Sequence, residues 1–224
     1  MNGEQRMAPA QTVFVVDDDP GTRQALKWLL ESHGRQVEAF VSGEAFLRAY
    51  RPERSGCLIL DLRLPGMSGL QLQDELARRG FGLPVIMLTG YGAVGAAVEA
   101  LQRGAIDFLE KPVDEAVLIH HVDTAFALDA ERRQREGLRH DSAARIERLT
   151  RREREVMQLI VAGKPNKVVA WELGISQKTV EVHRARVMSK LRVNSLADLV
   201  RLEWIAFHDG TQVHARAHAV ALSG

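Results

Sequence analysis

The sequence of 224 residues lacks the features that would place it outside ordinary globular proteins. It has a single cysteine, Cys57, so no intrachain disulfide can form and a disulfide-stapled secreted fold is excluded. No apolar run reaches the roughly 20 residues that a membrane span needs. The polar N-terminus lacks the apolar core of a signal peptide. We therefore expect a cytoplasmic protein that makes no membrane contact.

The sequence also lacks a large excess of charge of either sign, because 30 Lys and Arg residues stand against 29 Asp and Glu. This balance conceals an asymmetry along the chain. Residues 1–124 carry a net charge of −5, residues 125–148 carry +1 and residues 149–224 carry +5. An acidic first part and a basic last part predict two domains with different partners. A basic segment of this size is compatible with nucleic-acid binding and equally with a solvated surface.

What the first 125 residues do contain is an alternation of short apolar strands and helices. Continuous apolar runs such as Thr12–Val16, Cys57–Leu60 and Val85–Leu88 predict strands that are buried on both faces. Apolar residues at helical spacing follow each predicted strand. This part of the chain is therefore predicted to be an α/β domain, with five βα units in a doubly wound parallel sheet.

Polar residues follow the predicted strands, at the sheet edge where such folds bind ligands. They are Asp17 and Asp18 after the first strand, Asp61 after the third, Thr89 after the fourth and Lys111 after the fifth. Carboxylate oxygens without His or Cys suit Mg²⁺, with Mn²⁺ as the alternative ion. A metal, a lysine and a hydroxyl around one carboxylate would stabilise a phosphoryl group transferred to it. Aspartates at strand ends also serve as plain turn residues, but agreement among four strand ends favours an aspartyl-phosphate site.

Residues 12–124 resemble the receiver domain of two-component response regulators. The resemblance lies in the segments VVDDDP (15–20), LILDLRLPGMSG (58–69), MLTGYG (87–92) and DFLEKP (107–112). It implies that Asp61 accepts a phosphoryl group from a sensor histidine kinase. It also implies that Asp18 ligates Mg²⁺ directly, that Asp17 does so through water, and that the backbone carbonyl of Arg63 is a further ligand.

The same resemblance implies roles for residues around the phosphoacceptor. Thr89, Phe108 and Lys111 form the catalytic and switch set, with Thr89 as the switch hydroxyl and Phe108 as the switch aromatic. Because Phe108 has no hydroxyl, its inward rotation would be purely apolar burial. Arg63 and Tyr91 hold the positions whose side chains influence hydrolysis of the acyl phosphate, and both are bulky in this sequence.

After the first domain the sequence becomes charged and alanine-rich. This segment predicts a largely helical linker, with Gly137 as the place for a break. From Leu149 onward the pattern is helical throughout, which predicts an all-α domain. The expected plan is a flexible N-terminus (1–11), a receiver domain (12–125), a linker (126–148), a helical domain (149–208) and a tail (209–224).

Local signals place four helices in the last domain. Capping boxes at Thr150–Glu153 and Ser195–Asp198 open the first and the last helix. Asn166 and Ser176 are expected to cap the two helices between them. Gly174 lies in the turn that joins these two, as a helix-turn-helix requires.

The helix QKTVEVHRARVMSKL (177–191) is amphipathic. Its stripe of Val180, Val187 and Leu191 predicts burial, and the opposite face is small and flanked by cations. Such a face suits entry into a DNA major groove. A protein-interaction module of four helices with a solvated basic helix would show the same pattern.

Residues 149–202 resemble the LuxR-type helix-turn-helix of the NarL/FixJ response regulators, and the run TVEVHRARVMSKL is especially FixJ-like. The resemblance implies binding to double-stranded promoter DNA as a homodimer paired through the last helix (195–207), with RNA polymerase as a further candidate partner. The implied DNA contacts are Lys178, Thr179, Glu181, Val182, His183, Arg184 and Arg186. We expect Glu181, Val182 and Ala185 to face base edges. We expect Thr179, Arg186 and Lys190 to contact phosphates.

The sequence thus predicts a phosphorylation-dependent transcriptional regulator rather than a metabolic enzyme. A phosphatase or phosphotransferase that forms an aspartyl phosphate is the enzymatic alternative. One such pattern needs Thr where this chain has Gly21, and it leaves Asp61 unexplained. A receiver that works without phosphorylation is the second alternative. Among the remaining residues, Cys57, Trp171 and Trp204 are expected to be packing residues.

Overall fold

The computed structural model describes residues 11–90 and 94–208 and divides the chain into two units between Arg133 and Gln134. The expected N-terminal segment 1–11, apart from Gln11, and the expected tail 209–224 lie outside the described residues. The elements of the first unit are β1 (Thr12–Val16), α1 (Pro20–Ser32), β2 (Gln36–Phe40), α2 (Gly43–Ala49), β3 (Gly56–Asp61), α3 (Gly69–Arg78), β4 (Val85–Thr89), α4 (Val94–Gln102), β5 (Asp107–Glu110) and the start of α5 (Glu115–Glu147).

The five strands form one parallel sheet in the order β2-β1-β3-β4-β5. The chain first crosses from β1 to one side and then returns past β1 to build the other side. Because the chain reverses direction at β1, the connecting helices cover both faces of the sheet. The prediction of a doubly wound α/β fold is confirmed.

The core of this unit has two parts, one on each face of the sheet. Phe14 and Val16 of β1 belong to one buried cluster, while Val13 and Val15 belong to the other. Successive side chains of a strand point to opposite faces, so a strand covered by helices on both sides must be apolar at every position. This explains why β1, β3 and β4 read as continuous apolar runs.

Helix α5 is longer than expected and runs without interruption past Gly137. The predicted break at this residue is therefore wrong. A glycine inside a helix costs only about 1 kcal/mol relative to alanine, which the surrounding helix formers tolerate. The domain boundaries expected at 125/126 and 148/149 remain predictions.

The first part of the expected linker makes close contacts with the first unit. Phe126 is buried in the core, and the Asp129 carboxylate is 0% exposed. This carboxylate accepts hydrogen bonds from the Ser55 hydroxyl at 2.7 Å, the Gly56 amide at 2.9 Å and Arg133 Nε at 2.8 Å. These bonds hold the pKa of Asp129 below its usual value, although burial acts in the opposite direction. Asp129 thus fastens α5 to the start of β3.

The second unit is built from helices, as predicted. After the end of α5 it contains α6 (Arg151–Val161), α7 (Asn166–Leu173), α8 (Gln177–Leu191) and α9 (Leu196–Phe207). Val156, Val180, Val187 and Leu199 are completely buried in one core. Leu149 also lies in this core, and so does Ile146, so the end of the expected linker packs with the second unit.

The predicted helix caps are confirmed with two exceptions. At Ser195–Asp198 the Ser195 hydroxyl accepts from the Asp198 amide at 3.0 Å, but the contacts of the described residues do not include the reciprocal bond of a capping box. Thr150 and Glu153 form the predicted capping box, and Gly174 ends α7 in the left-handed conformation with φ of 65°. Asn166 does not cap α7, because the N-cap residue is Pro165 and no side chain caps this helix. The Asn166 amide oxygen instead accepts a hydrogen bond from Arg184 of α8 at 3.4 Å.

The two tryptophans expected to pack are exposed, so that prediction is wrong. Trp171 is 83% exposed, because Val169 and Ala170 already supply the buried face of the short helix α7. Trp204 is 60% exposed, and its ring stacks on His208 at 3.8 Å.

Cys57 is buried as predicted, and this burial raises the pKa of its thiol. Among the described helices, none combines the length and hydropathy that a membrane span requires.

Candidate functional site

Three carboxylates meet at the carboxyl edge of the sheet. Asp17 follows Val16 of β1, and Val16 pairs with Leu60 of β3, so Asp17 and Asp61 lie at the ends of neighbouring strands. One carboxylate oxygen from each of Asp17, Asp18 and Asp61 lies within 4.8 Å of the other two. Asp17 and Asp61 are buried, and Asp18 is exposed. This set of hard oxygen donors, open to solvent on one side, fits a hydrated Mg²⁺ or Mn²⁺ ion.

Lys111 supplies the positive charge of the site. Its ammonium donates to Asp17 Oδ2 at 2.6 Å and also to Asp61 Oδ2. Burial disfavours the ammonium, but the two carboxylates outweigh this effect and raise the pKa of Lys111. For Asp17 the effect of burial prevails. Burial raises the pKa of this carboxyl group, because one ammonium shared by two acids does not offset the desolvation. Three carboxylates and one lysine leave a local excess of negative charge that a divalent cation would neutralise.

The segment after β3 holds Asp61 in a fixed orientation. The Arg63 amide donates to Asp61 Oδ1 at 2.9 Å, while the other carboxylate oxygen accepts from Lys111. The Gly69 amide donates to the Leu62 carbonyl at 3.0 Å, which folds the segment back on itself. A Cβ atom at position 69 would collide with the backbone of Asp61 and Leu62, so this close approach requires glycine. The backbone of Arg63 therefore lies at the rim of the carboxylate cluster.

Thr89 and Phe108 occupy the neighbouring strands, as the sequence predicted. Thr89 is 3% exposed at the end of β4, and its carbonyl accepts from the Lys111 amide at 2.8 Å. Phe108 is half-buried and packs against the core cluster that contains Phe14. Tyr91, the other predicted modulator of hydrolysis, lies outside the described residues.

The side chain of Arg63 is exposed and lies across Gly90, at the end of β4. A Cβ atom at position 90 would collide with the Arg63 guanidinium. This arrangement puts a bulky cationic group between the ends of β3 and β4. Its position agrees with a role in shielding the site, which remains a prediction.

Sequence reasoning missed one residue that shapes the site. The Glu44 carboxylate on α2 accepts a hydrogen bond from the Met67 amide at 3.2 Å. This bond ties α2 to the segment that carries Arg63. The acceptor and the donor are 23 residues apart, and no local pattern in the sequence connects them.

In the second unit, α8 presents the predicted exposed face. Ser176 caps the helix by accepting from the Thr179 amide at 3.0 Å, and the stripe of apolar residues on the other face is buried. The exposed residues of the helix include Lys178, Glu181, Val182, Ala185 and Arg186.

Three further predicted DNA contacts on α8 are only half-exposed: Thr179, His183 and Arg184. The Thr179 hydroxyl lies 2.8 Å from the hydroxyl of Ser176 and belongs to the helix cap. Arg184 donates to Asn166 of α7. The side chains of Thr179 and Arg184 are therefore partly engaged within the unit.

Lys190, predicted to contact a phosphate, makes an ion pair within the unit. Its ammonium donates to Glu153 Oε2 at 2.6 Å, and the Glu153 side chain is almost completely buried. The sequence predicted Glu153 only as part of a capping box. The contact with Lys190 joins residues that are 37 positions apart, so the local pattern could not reveal it.

Two families match the chain in consecutive segments. Residues 13–123 match the family described as "Response regulator receiver domain". Residues 147–203 match the family described as "Bacterial regulatory proteins, luxR family".

Individual proteins match over nearly the whole chain. The transcriptional regulatory protein FixJ of Azorhizobium caulinodans is 46% identical over 200 residues, which are 89% of this chain and 95% of that protein. The transcriptional regulatory protein TdiR of Thauera aromatica is 42% identical, over 85% of this chain and 84% of that protein.

Solved structures match in the same way. The response regulator StyR matches with a TM-score of 0.77 and 45% identity, over 86% of this chain and 98% of that one. Full-length FixJ from B. japonicum matches with a TM-score of 0.55 and 40% identity, over 89% of this chain and 98% of that one.

Proposed function

Because the chain belongs to the FixJ-like response regulators, with a receiver domain followed by a LuxR-type DNA-binding domain, we propose that phosphorylation of Asp61 controls DNA binding through α8. The observation that carries this proposal is the convergence of Asp17, Asp18, Asp61 and Lys111 at one sheet edge. The receiver domain implies a histidine kinase as partner, and the LuxR-type domain implies DNA. We place the protein in the cytoplasm, where promoter DNA is found.

In the proposed transfer, Asp61 is the nucleophile and one of its two carboxylate oxygens receives the phosphoryl group. One carboxylate oxygen attacks the phosphorus of a phosphohistidine on the kinase, the N–P bond breaks, and an O–P bond forms. Receiver domains generally bind Mg²⁺ at acidic residues. Asp17, Asp18, Asp61 and the Arg63 carbonyl would hold this ion, which neutralises charge on the phosphoryl oxygens.

Lys111 and Thr89 complete the phosphoryl site. The Lys111 ammonium already donates to Asp61, so it is placed to donate to a phosphoryl oxygen once Asp61 is modified. The Thr89 hydroxyl lies at the end of the adjacent strand and would donate to another phosphoryl oxygen. Half-buried Phe108 would then move further into the core, which shifts the population of receiver conformations.

DNA binding is proposed for the exposed face of α8. Glu181 can accept a hydrogen bond from cytosine N4, while Val182 and Ala185 offer apolar contact to a thymine methyl. Arg186, which is exposed, can bind a phosphate. The net charge of +5 over residues 149–224 supports attraction to the DNA backbone. The remaining candidates for DNA contact are Lys178, Thr179, His183 and Arg184.

Helix α9 offers a surface for pairing two copies on DNA. Leu196, Val200, Trp204 and Phe207 are exposed by 39%, 39%, 60% and 61%, and their spacing places them along one stripe of the helix. An exposed apolar stripe of this kind marks an interaction site. We propose that it pairs two DNA-binding domains in a homodimer. RNA polymerase is a further candidate partner of the DNA-bound protein.

The test of the phosphoacceptor uses [³²P]acetyl phosphate and Mg²⁺ with the full-length protein. Wild type should incorporate one acid-stable, base-labile phosphoryl group, as expected of an acyl phosphate. Asp61→Asn should incorporate none, whereas Asp74→Asn should be labelled like wild type, because Asp74 lies on the exposed side of α3. Labelling of Asp61→Asn at the wild-type level would refute the assignment.

A further inference from the structure

Glu153 is an acidic side chain in an unusual place for a DNA-binding domain. It is 3% exposed, in the first turn of α6. Its Oε2 atom accepts from the Thr150 amide at 2.9 Å and from Lys190 at 2.6 Å. One oxygen therefore closes the cap of α6 and holds the last turn of α8.

The Glu153–Lys190 pair lies directly beside the proposed DNA-binding face. Both residues line an open groove of about 620 Å³ between the start of α6 and α8, together with Ala185, Arg186 and Ser189. Ala185 and Arg186 are residues proposed to contact DNA. A change in how α8 rests on α6 would therefore move these contacts.

We infer that Glu153 is a positioning residue for DNA binding, and that Lys190 acts by pairing with it to seat α8 rather than by contacting a phosphate. The inference rests on the proposed function of α8. The ammonium of Lys190 is neutralised by a buried carboxylate, so the pair brings no net positive charge to the DNA backbone. Burial opposes the ionised form of Glu153, but hydrogen bonds from Lys190 and Thr150 lower its pKa to about 2.

The two roles of Lys190 predict opposite results when the charge of Glu153 is removed. If Lys190 contacts a phosphate, Glu153→Gln frees its ammonium and deletes a negative charge near DNA, so DNA binding strengthens. If the pair seats α8, the same substitution weakens binding. Lys190→Met would leave the buried Glu153 carboxylate without its ammonium, whereas in Glu153→Gln water still reaches Lys190, whose side chain is 40% exposed.

The experiment measures DNA binding of the full-length protein by fluorescence anisotropy over a range of KCl concentrations. The probe is a duplex that wild type selects from a randomised pool. Glu153→Gln and Lys190→Met should each weaken binding about tenfold, the effect of one charge-assisted hydrogen bond. The slope of log K against log[KCl] should not change for Lys190→Met. It should fall by about one for Arg186→Met, which removes a proposed phosphate contact.

Two further variants separate positioning from loss of folding. Lys190→Arg keeps the pair and should bind like wild type. The double variant Glu153→Gln/Lys190→Met leaves no unpaired charge, so it should fold, as circular dichroism would show, and it should bind about as weakly as the single variants.

The inference would be overturned if Glu153→Gln bound DNA as tightly as wild type or more tightly, or if Lys190→Met lowered the salt slope by about one. Wild-type affinity in the double variant would overturn it as well. If wild type selected no duplex at all, the proposed binding of DNA through α8 would be contradicted, and so would the inference that rests on it. The salt slope of Arg186→Met tests the proposed α8 surface separately.

Discussion

Replacing Lys111 with Met should destabilise the receiver domain when no divalent cation is present. Methionine keeps the packing of the lysine stem but removes the ammonium shared by Asp17 and Asp61. Removing one partner of a fully buried pair costs about 3–5 kcal/mol. The side chains of Asp17 and Asp61 are 0% and 9% exposed, but that of Lys111 is 25% exposed. Water can therefore solvate this site in part, which reduces the loss of stability. We expect a loss of about 2 kcal/mol.

Differential scanning calorimetry of the full chain measures this effect. For a domain of this size a loss of about 2 kcal/mol lowers the melting temperature by roughly 6–10 °C. Adding Mg²⁺ should raise the melting temperature more in Lys111→Met than in wild type, since the ion meets less positive charge in the variant and binds more tightly. Lys27→Met is the control: the Lys27 side chain is 42% exposed and forms a long ion pair of 3.8 Å with Glu31, so the free energy of unfolding should change by less than about 0.5 kcal/mol.

Two results would refute this reasoning. If Lys111→Met melted at the wild-type temperature without Mg²⁺, the ammonium would not be stabilising the two carboxylates. If Mg²⁺ raised the melting temperature of the variant less than that of wild type, the carboxylates and Lys111 would not be sharing one electrostatic site.

Three other substitutions test separate parts of the structure. Asp129→Ala should lower the free energy of unfolding by about 3 kcal/mol in urea denaturation, because it leaves buried donors unpaired; a loss below about 1 kcal/mol would contradict the proposed fastening of α5. Trp204→Ala should weaken the dimer of the phosphorylated protein in analytical ultracentrifugation, whereas Trp171→Ala, with an even more exposed ring, should not; equal effects would argue against the α9 surface. Gly69→Ala should slow labelling by acetyl phosphate because its Cβ collides with the backbone of Asp61, whereas Gly137→Ala, with open space around it, should leave labelling unchanged; equal rates in both variants would count against the close fit at Asp61.

The carboxylate site could be predicted from sequence because parallel-sheet geometry connects distant residues. In such a sheet the residues after each strand meet at one edge, so Asp17, Asp61 and Lys111 are brought together once the strands are recognised. Helix caps such as those at Thr150 and Ser176 can also be predicted from the sequence, because the hydrogen-bond donor and acceptor are three residues apart.

The contacts that the sequence did not reveal join residues that are far apart along the chain. Asp129 binds Ser55 and Gly56, and Glu153 binds Lys190, and neither pair forms a local pattern. In both cases the fold buries a charged side chain against a partner that the neighbouring sequence does not indicate. Trp171 shows the opposite case: the sequence predicts that this aromatic residue packs, but a two-turn helix has a narrow buried face that Val169 and Ala170 already fill.

The central claim is that phosphorylation of Asp61 controls DNA binding, and one measurement tests it most directly. The affinity of the full-length protein for its selected duplex is measured by fluorescence anisotropy before and after treatment with acetyl phosphate and Mg²⁺, in wild type and in Asp61→Asn. Phosphorylation should tighten binding by wild type and leave Asp61→Asn unchanged. Equal affinity of wild type before and after complete phosphorylation, or the same increase in Asp61→Asn, would contradict the account.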